Sequence, residues 1–292
     1  VQFAQPTSFS PQATVDQLSH RDFTRIVDLI GAEIGVRLHS TKQSMVEARL
    51  RRRLRDLQMT SFAEYSDLLF RRAGLETELP HLVNVLTTNK TDFFREPQHF
   101  DLLRSTIVKD LLASRRMERL PTIKVWSAAC STGAEAYTTA MVLANMAEKT
   151  GAFRYSILGT DVSTEVLQQA RIGIYPTQQI APVPQDMQFK YLLWSRREAQ
   201  PSEVRIVPEL RRHTNFNYLN LMDQHYPVDR DVDVIFLRNV LIYFSKDDQA
   251  KVIDKLVSHL RPGGYLLLGH SEPMAGKCEA VRQVATATFQ KI

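Results

Sequence analysis

IKVWSAACSTGAEAYTTAMVLA, residues 123–144, reads as a strand, a turn of small residues and a helix in immediate succession. Ile123, Val125 and Trp126 are β-branched or aromatic, types that fit a pleated, half-buried surface. Residues 127–133 are small; Tyr137, Met141 and Ala144 then recur at three- and four-residue spacing, which puts them on one helix face. A unit of this kind aims the free N–H groups of a helix N-terminus into the turn. Ser131 and Thr132 are capping types, and Glu135 falls in the first turn, where a carboxylate suits the helix dipole.

An ordinary strand-to-helix turn of an α/β domain accounts for this pattern, and so does a ligand site. Two absences restrict the kind of ligand. The chain contains neither G-x-G-x-x-G nor G-x-x-x-x-G-K-[ST], which excludes the dinucleotide and phosphate-loop fingerprints. A small-residue loop with an acidic side chain and no phosphate-binding chemistry suits a nucleoside without a phosphate chain, of which S-adenosylmethionine is one.

Outward from this unit the rhythm of strand and helix continues. Residues 155–159 read as a second strand ending at Asp161, and Ser163 caps a helix through Val166, Leu167 and Ala170. An acid at the carboxyl end of the next strand is placed to accept hydrogen bonds from ribose hydroxyls, or merely to cap. Residues 232–237 are apolar throughout, as a buried parallel strand should be, and end in Arg238-Asn239. A helix over 246–260 is stopped by Pro262-Gly263-Gly264, a strand covers 265–269, and 284–289 alternates like a closing edge strand. Residues 180–216, with Trp194 and the pair Arg196-Arg197, read as a small antiparallel insert between the second and third core strands.

Upstream the pattern is helical. After a polar tail over 1–15, apolar stripes appear at Phe23, Ile26, Val27 and Ile30, then at Met45, Leu50, Leu54 and Leu57, then at Tyr65, Leu68 and Leu69, with a fourth helix over 78–86. Between Val36 and Arg55 stand Arg37, Lys42, Arg49, Arg51, Arg52, Arg53 and Arg55 against one acid, Glu47. Like charges so crowded on one helix repel, and an anionic partner would offset them. Residues 87–95 follow as a linker that carries Phe93, Phe94 and Arg95, and so packs on what comes next.

Bulk properties fit a globular chain of 292 residues: 43% hydrophobic, 24% charged, net charge +5 and pI about 9.2. No apolar run reaches membrane-span length, and no secretory leader is evident at the N-terminus. Cys130 and Cys278 are the only cysteines, there is no C-x-x-C, and no Cys/His cluster has zinc spacing. No metal site is expected, and Cys130 reads as a small buried hydrophobe in a reducing compartment.

In combination, six stretches resemble the CheR-type chemotaxis receptor methyltransferases: TTNKTDFFRE (87–96), VWSAACSTGAEAYT (125–138), GTDVSTEVLQQAR (159–171), NYLNL (217–221), FLRNVLIYF (236–244) and PGGYLLLGHSE (262–272). The resemblance spans nearly the whole chain. It implies a Rossmann-like methyltransferase core over 101–292, a receptor-docking helical domain over 16–86, a linker over 87–100 that contributes to the cofactor site, and the β-insert. It implies S-adenosylmethionine as cofactor, with S-adenosylhomocysteine as product, and the glutamates of transmembrane chemoreceptors as substrate, met at their cytoplasmic helical part. By motif position the cofactor contacts fall on Asn89, Thr91, Arg95, Glu135, Asp161, Asn220, Leu221, Arg238 and Asn239. Tyr243 matches an aromatic close to the transferred methyl, Arg95 is expected to guide the substrate carboxylate as the second catalytic residue, and Arg49, Arg52, Arg53 and Arg55 fall on the docking helix.

There are departures. The family commonly reads STGEEPYS where this chain has Ala134 and Ala136 in place of the first Glu and the Pro. A catalytically weak, cofactor-binding regulator is therefore the alternative. A base-methylating enzyme is disfavoured, since no Asn precedes a Pro, and neither a nucleic-acid partner nor membrane insertion is expected. Family members that hold a receptor's C-terminal pentapeptide carry Gly-X-Gly in a turn of the insert. This chain has no glycine between Gly173 and Gly263 and reads WSRREAQP over 194–201, so no such tether is expected. The resemblance implies a cytoplasmic location.

Overall fold

The structure is a computed structural model and describes residues 16–115, 117–195, 202–272 and 278–292. The polar tail over 1–15 lies outside them. Four helices come first: α1 (His20–Ile34), α2 (Gln43–Asp56), α3 (Phe62–Phe70) and α4 (Leu75–Leu86). The Ser19 hydroxyl caps α1 by accepting from the Asp22 N–H, and Gly35 ends it in the left-handed region. On α2 the inward stripe is Val46, Leu50 and Leu54; Met45 and Leu57, expected inward, are half-buried at its margins. These pack on Phe23, Ile26, Ile30, Phe62, Tyr65 and Leu82 in a core of their own.

After the linker, α5 (Pro97–Leu102) continues through a π-helical turn, Leu103–Ile107, into α6 (Val108–Ser114). The core then alternates β1 (Thr122–Ala128), α7 (Ala134–Thr150), β2 (Arg154–Asp161) and α8 (Thr164–Ile172). The elements β3 (Ile174–Pro176), α9 (Gln185–Tyr191), β4 (Leu192–Trp194), β5 (Glu203–Ile206) and α10 (Pro208–Arg211) form the insert. The chain closes with β6 (Thr214–Tyr218), β7 (Val232–Leu237), α11 (Lys246–His259), β8 (Leu260–Leu268), β9 (Val281–Ala285) and β10 (Thr288–Lys291).

Seven strands make the main sheet in the order β6-β2-β1-β7-β8-β10-β9. The first five are parallel, and β10 and β9 add antiparallel at one edge. Because β1 lies between β2 and β7, the strand order reverses there, and a ligand crevice opens outside the carboxyl ends of these strands.

Three expectations are corrected. Phe216 belongs to β6 at the edge of the main sheet, so the insert begins earlier, at β3, and ends before that strand. Pro262-Gly263-Gly264 does not separate helix from strand: α11 ends at His259 and β8 runs through the three residues, with a register irregularity against β7. The closing edge is a hairpin of two strands, with Ala287 at positive φ in its turn. The helical unit docks tightly on the core. A side chain at Gly35 would meet the Phe244 ring at 2.5 Å, and at φ +73 the position is glycine's on conformational grounds too.

Candidate active site

The loops after β1, β2 and β7 border one cavity of about 290 Å³. Ile34, Val36, Leu38 and Leu86 of the helical unit and Thr87–Asp92 of the linker form the facing wall. Asn89, Thr91, Arg95, Glu135, Asp161, Asn220, Leu221, Arg238, Asn239 and Tyr243 all line it. The four arginines expected to dock a partner do not; they lie on α2.

In the turn after β1, Gly133 at φ +84 is the N-cap of α7, and no side chain caps the helix. Ser131, expected as a cap, donates its hydroxyl hydrogen to the Asn89 carbonyl at 2.7 Å and so ties the linker to the turn. Asp161 accepts the Ser131 N–H at 2.8 Å through Oδ2 and the Ser163 N–H at 2.9 Å through Oδ1. Burial pushes its carboxyl up, and these N–H groups pull it back towards the ionised form. Cys130 is buried and free, its thiol pushed well up by burial.

Arg238 is the hub of the opposite wall. Its guanidinium lies 3.1 Å from Glu96 Oε2 and 3.2 Å from Glu135 Oε2, and it also donates to the Arg95 carbonyl. The Ser127 hydroxyl donates to Glu135 Oε1 at 2.6 Å. Burial raises the Glu135 carboxyl, and Arg238 is the strongest influence holding it down. Behind Glu96, burial lowers His99 to about 4, with Arg238 adding to the effect. Asn220 donates to the Glu33 carbonyl at 2.7 Å, and the Arg37 N–H donates to the Tyr243 carbonyl at 2.9 Å, so the helical unit is bonded to the site it covers.

Backbone strain gathers here. Among the described non-glycine residues at positive φ, Phe94, Glu96, Ala129, Ser131 and Asn239 all belong to the segments around the cavity. Such conformations persist only when their surroundings over-determine them. Glu272 does this for Asn239: its carboxylate accepts N–H groups from Asn239, Gly269 and Leu241, each at 2.7 Å. That fixes the backbone leading to Tyr243. Glu272→Gln replaces an acceptor-only group by one with a single acceptor oxygen. It is expected to cost about 2–3 kcal/mol in urea unfolding, within the range for hydrogen bonds to a charged group. Unfolding at the parental midpoint would reject the clamp.

Neither Glu96 nor Glu272 stands out in the sequence as a site residue. Both lie inside quoted motifs, but their roles need a tertiary partner to be visible. The arginines of α2 are also less free than their crowding implies. Arg53 pairs with the buried Glu78 at 2.7 Å, a carboxylate shared with the Tyr65 hydroxyl. Arg49 donates to the carbonyls of Leu86 and Thr87 at 2.9 and 3.0 Å, closing the end of α4. Arg52 and Arg55 remain exposed.

Two family models match the chain in succession. Residues 21–87 match the family model described as CheR methyltransferase, all-alpha domain, and residues 89–290 match CheR methyltransferase, SAM binding domain. The chain is similar to the chemotaxis protein methyltransferase of Escherichia coli, 40% identical over 258 residues, covering 87% of this chain and 85% of that one. It is similar to that of Borreliella burgdorferi, 35% identical over 279 residues and 95% of each chain. It is also similar to chemotaxis protein methyltransferase 2 of Pseudomonas aeruginosa, 36% identical over 291 residues, 97% of this chain and 99% of that one.

Proposed function

The chain belongs to the CheR methyltransferase family, and on that premise we propose that it methylates chemoreceptor glutamates from S-adenosylmethionine, giving methyl esters in sensory adaptation. What supports this reading above all is the convergence on one cavity of residues as far apart as Asn89 and Tyr243. Transfer of labelled methyl groups to receptor-bearing membranes tests it.

The site suits the cofactor. The cavity is near the lower end of small-molecule clefts, roughly 300 Å³. Asp161 has lone pairs left for ribose hydroxyls after its two backbone bonds, and the buried Asn239 Oδ1 has no partner among the described residues. When bound, the cofactor supplies a methyl group on a sulfonium. A glutamate, with an ordinary pKa near ~4.3, is already ionised at neutral pH and needs no general base. The protein's work is then to position the carboxylate and exclude water. We assign guidance of the incoming carboxylate to Arg95, which is exposed at the cavity rim. Tyr243, half-buried in the wall, packs towards the sulfonium.

The receptor's acidic helical part docks on α2 in this reading, through Arg52 and Arg55. Arg49 and Arg53 hold the helical unit together, so reversing Arg53 would break the Glu78 pair rather than test docking. Arg52→Glu with Arg55→Glu is expected to raise the KM for receptor and flatten its salt dependence, with cofactor affinity unchanged. Equal KM values across a salt titration would reject this face. No described helix is long and apolar enough to cross a membrane, and the enzyme works from the cytoplasm in this reading. The turn that bears on tethering lies largely outside the described residues, at 196–201. The lack of glycine there is the support for docking without a C-terminal pentapeptide tether, and saturable micromolar binding of such peptides would overturn it.

A further inference from the structure

Glu96, His99 and His270 bring their donor atoms within 4.8 Å of one another, although Glu96 and His270 are 174 positions apart. His99 is 2% exposed, and among the described residues no partner stands at full hydrogen-bonding geometry to either ring nitrogen. The ring nevertheless faces two acceptors. Nδ1 stands 3.5 Å from Glu96 Oε2, and the Thr286 backbone is the second. A neutral imidazole has one N–H for two acceptors, and burial opposes a second proton. A cation held between the imidazole and the Glu96 carboxylate would satisfy both. A ligating imidazole commonly directs its other nitrogen at a backbone carbonyl in this way.

Glu96, Glu135 and Glu272 set three carboxylates about the guanidinium of Arg238, with Arg95 also acting on Glu135. Arg238 engages Glu96 through Oε2. Among the described residues Oε1 has long contacts, from Asn239 Nδ2 at 3.3 Å and the His270 N–H at 3.4 Å. His270, exposed and 4.7 Å from His99 between ring centroids, closes the open side.

We propose that Glu96, His99 and His270 bind a first-row transition-metal ion, with zinc the natural occupant of a two-imidazole, one-carboxylate set and water completing its coordination. Such an ion joins the start of α5 to the segment after β8. Neither histidine has a part in the methyl transfer proposed above; Glu96 also holds Arg238 in the cavity wall, so the test reads metal binding itself, through His270.

Titrating the tag-free protein with zinc chloride in a calorimeter tests the site without cofactor or receptor. The expected result is one saturable micromolar site, weakened at least about tenfold in His270→Ala and unchanged in His225→Ala, a control at another exposed histidine. His270 is on the surface, so its variant folds even if a change at the buried His99 does not. No saturable site, or equal affinity in the parent and His270→Ala, would overturn the proposal.

Discussion

Asp161→Ala is expected to lower S-adenosylmethionine affinity about ten- to a hundredfold, the equivalent of roughly 1.5–3 kcal/mol for hydrogen bonds to a charged group. The carboxylate is 7% exposed and ends β2 at the cavity. Its oxygens already hold the N–H groups of Ser131 and Ser163, so the same side chain that offers itself to ribose also joins the loops after β1 and β2. Asp161→Asn loses the charge and, with a single acceptor oxygen, one of the two loop N–H bonds as well, so it weakens both tasks together. Calorimetry on samples with parental circular dichroism measures the effect. Unchanged affinity in the alanine variant would reduce Asp161 to a loop tie.

Arg238→Met is expected to destabilise the fold by about 3–5 kcal/mol, the cost of breaking a buried ion pair from one side. The guanidinium side chain is 3% exposed and its partners Glu96 and Glu135 are 17% and 13% exposed, so water replaces little of what is lost. The pH dependence follows from Glu135. Burial already raises its carboxyl and Arg238 opposes that rise, so removing Arg238 raises it further. A carboxyl whose folded pKa lies above its unfolded one binds more protons in the folded state across the interval between them. Its stabilising effect is full below the unfolded value and lost as pH rises through the folded one. The deficit of the variant should therefore be greatest at neutral pH and shrink on acidification towards the ordinary carboxylate range. Urea midpoints of both proteins across that range measure it, and a deficit that grows on acidification would contradict the network.

How much of this was legible in the sequence depended on whether a residue's partner was local. The continuous apolar run of β7 and the strand–turn–helix around β1 announce themselves, because a strand buried on both faces has no polar alternation. The edge strand β6 does not. In TNFNY only Thr214 and Phe216 are buried, and the alternation resembles a strand of the insert. Pro262-Gly263-Gly264 reads as a stop, yet an irregular pairing carries the strand through it. The residues that the motifs point to for the cofactor are brought by the structure to one cavity. Glu272 and Glu96 escaped because they bind backbone N–H groups and a guanidinium remote in sequence. The crowded arginines of α2 misled for the same reason: Glu78 and the carbonyls ending α4 lie 25 and more positions away.

The central claim is methyl transfer to a carboxylate. Purified protein, methyl-labelled S-adenosylmethionine and membranes bearing a chemoreceptor with acidic methylation sites test it directly. The account predicts label on the receptor that mild base releases as methanol, as an ester must, and none on receptors whose target glutamates are replaced by alanine. Cofactor binding without transfer to any receptor offered, or label that withstands base, would contradict it.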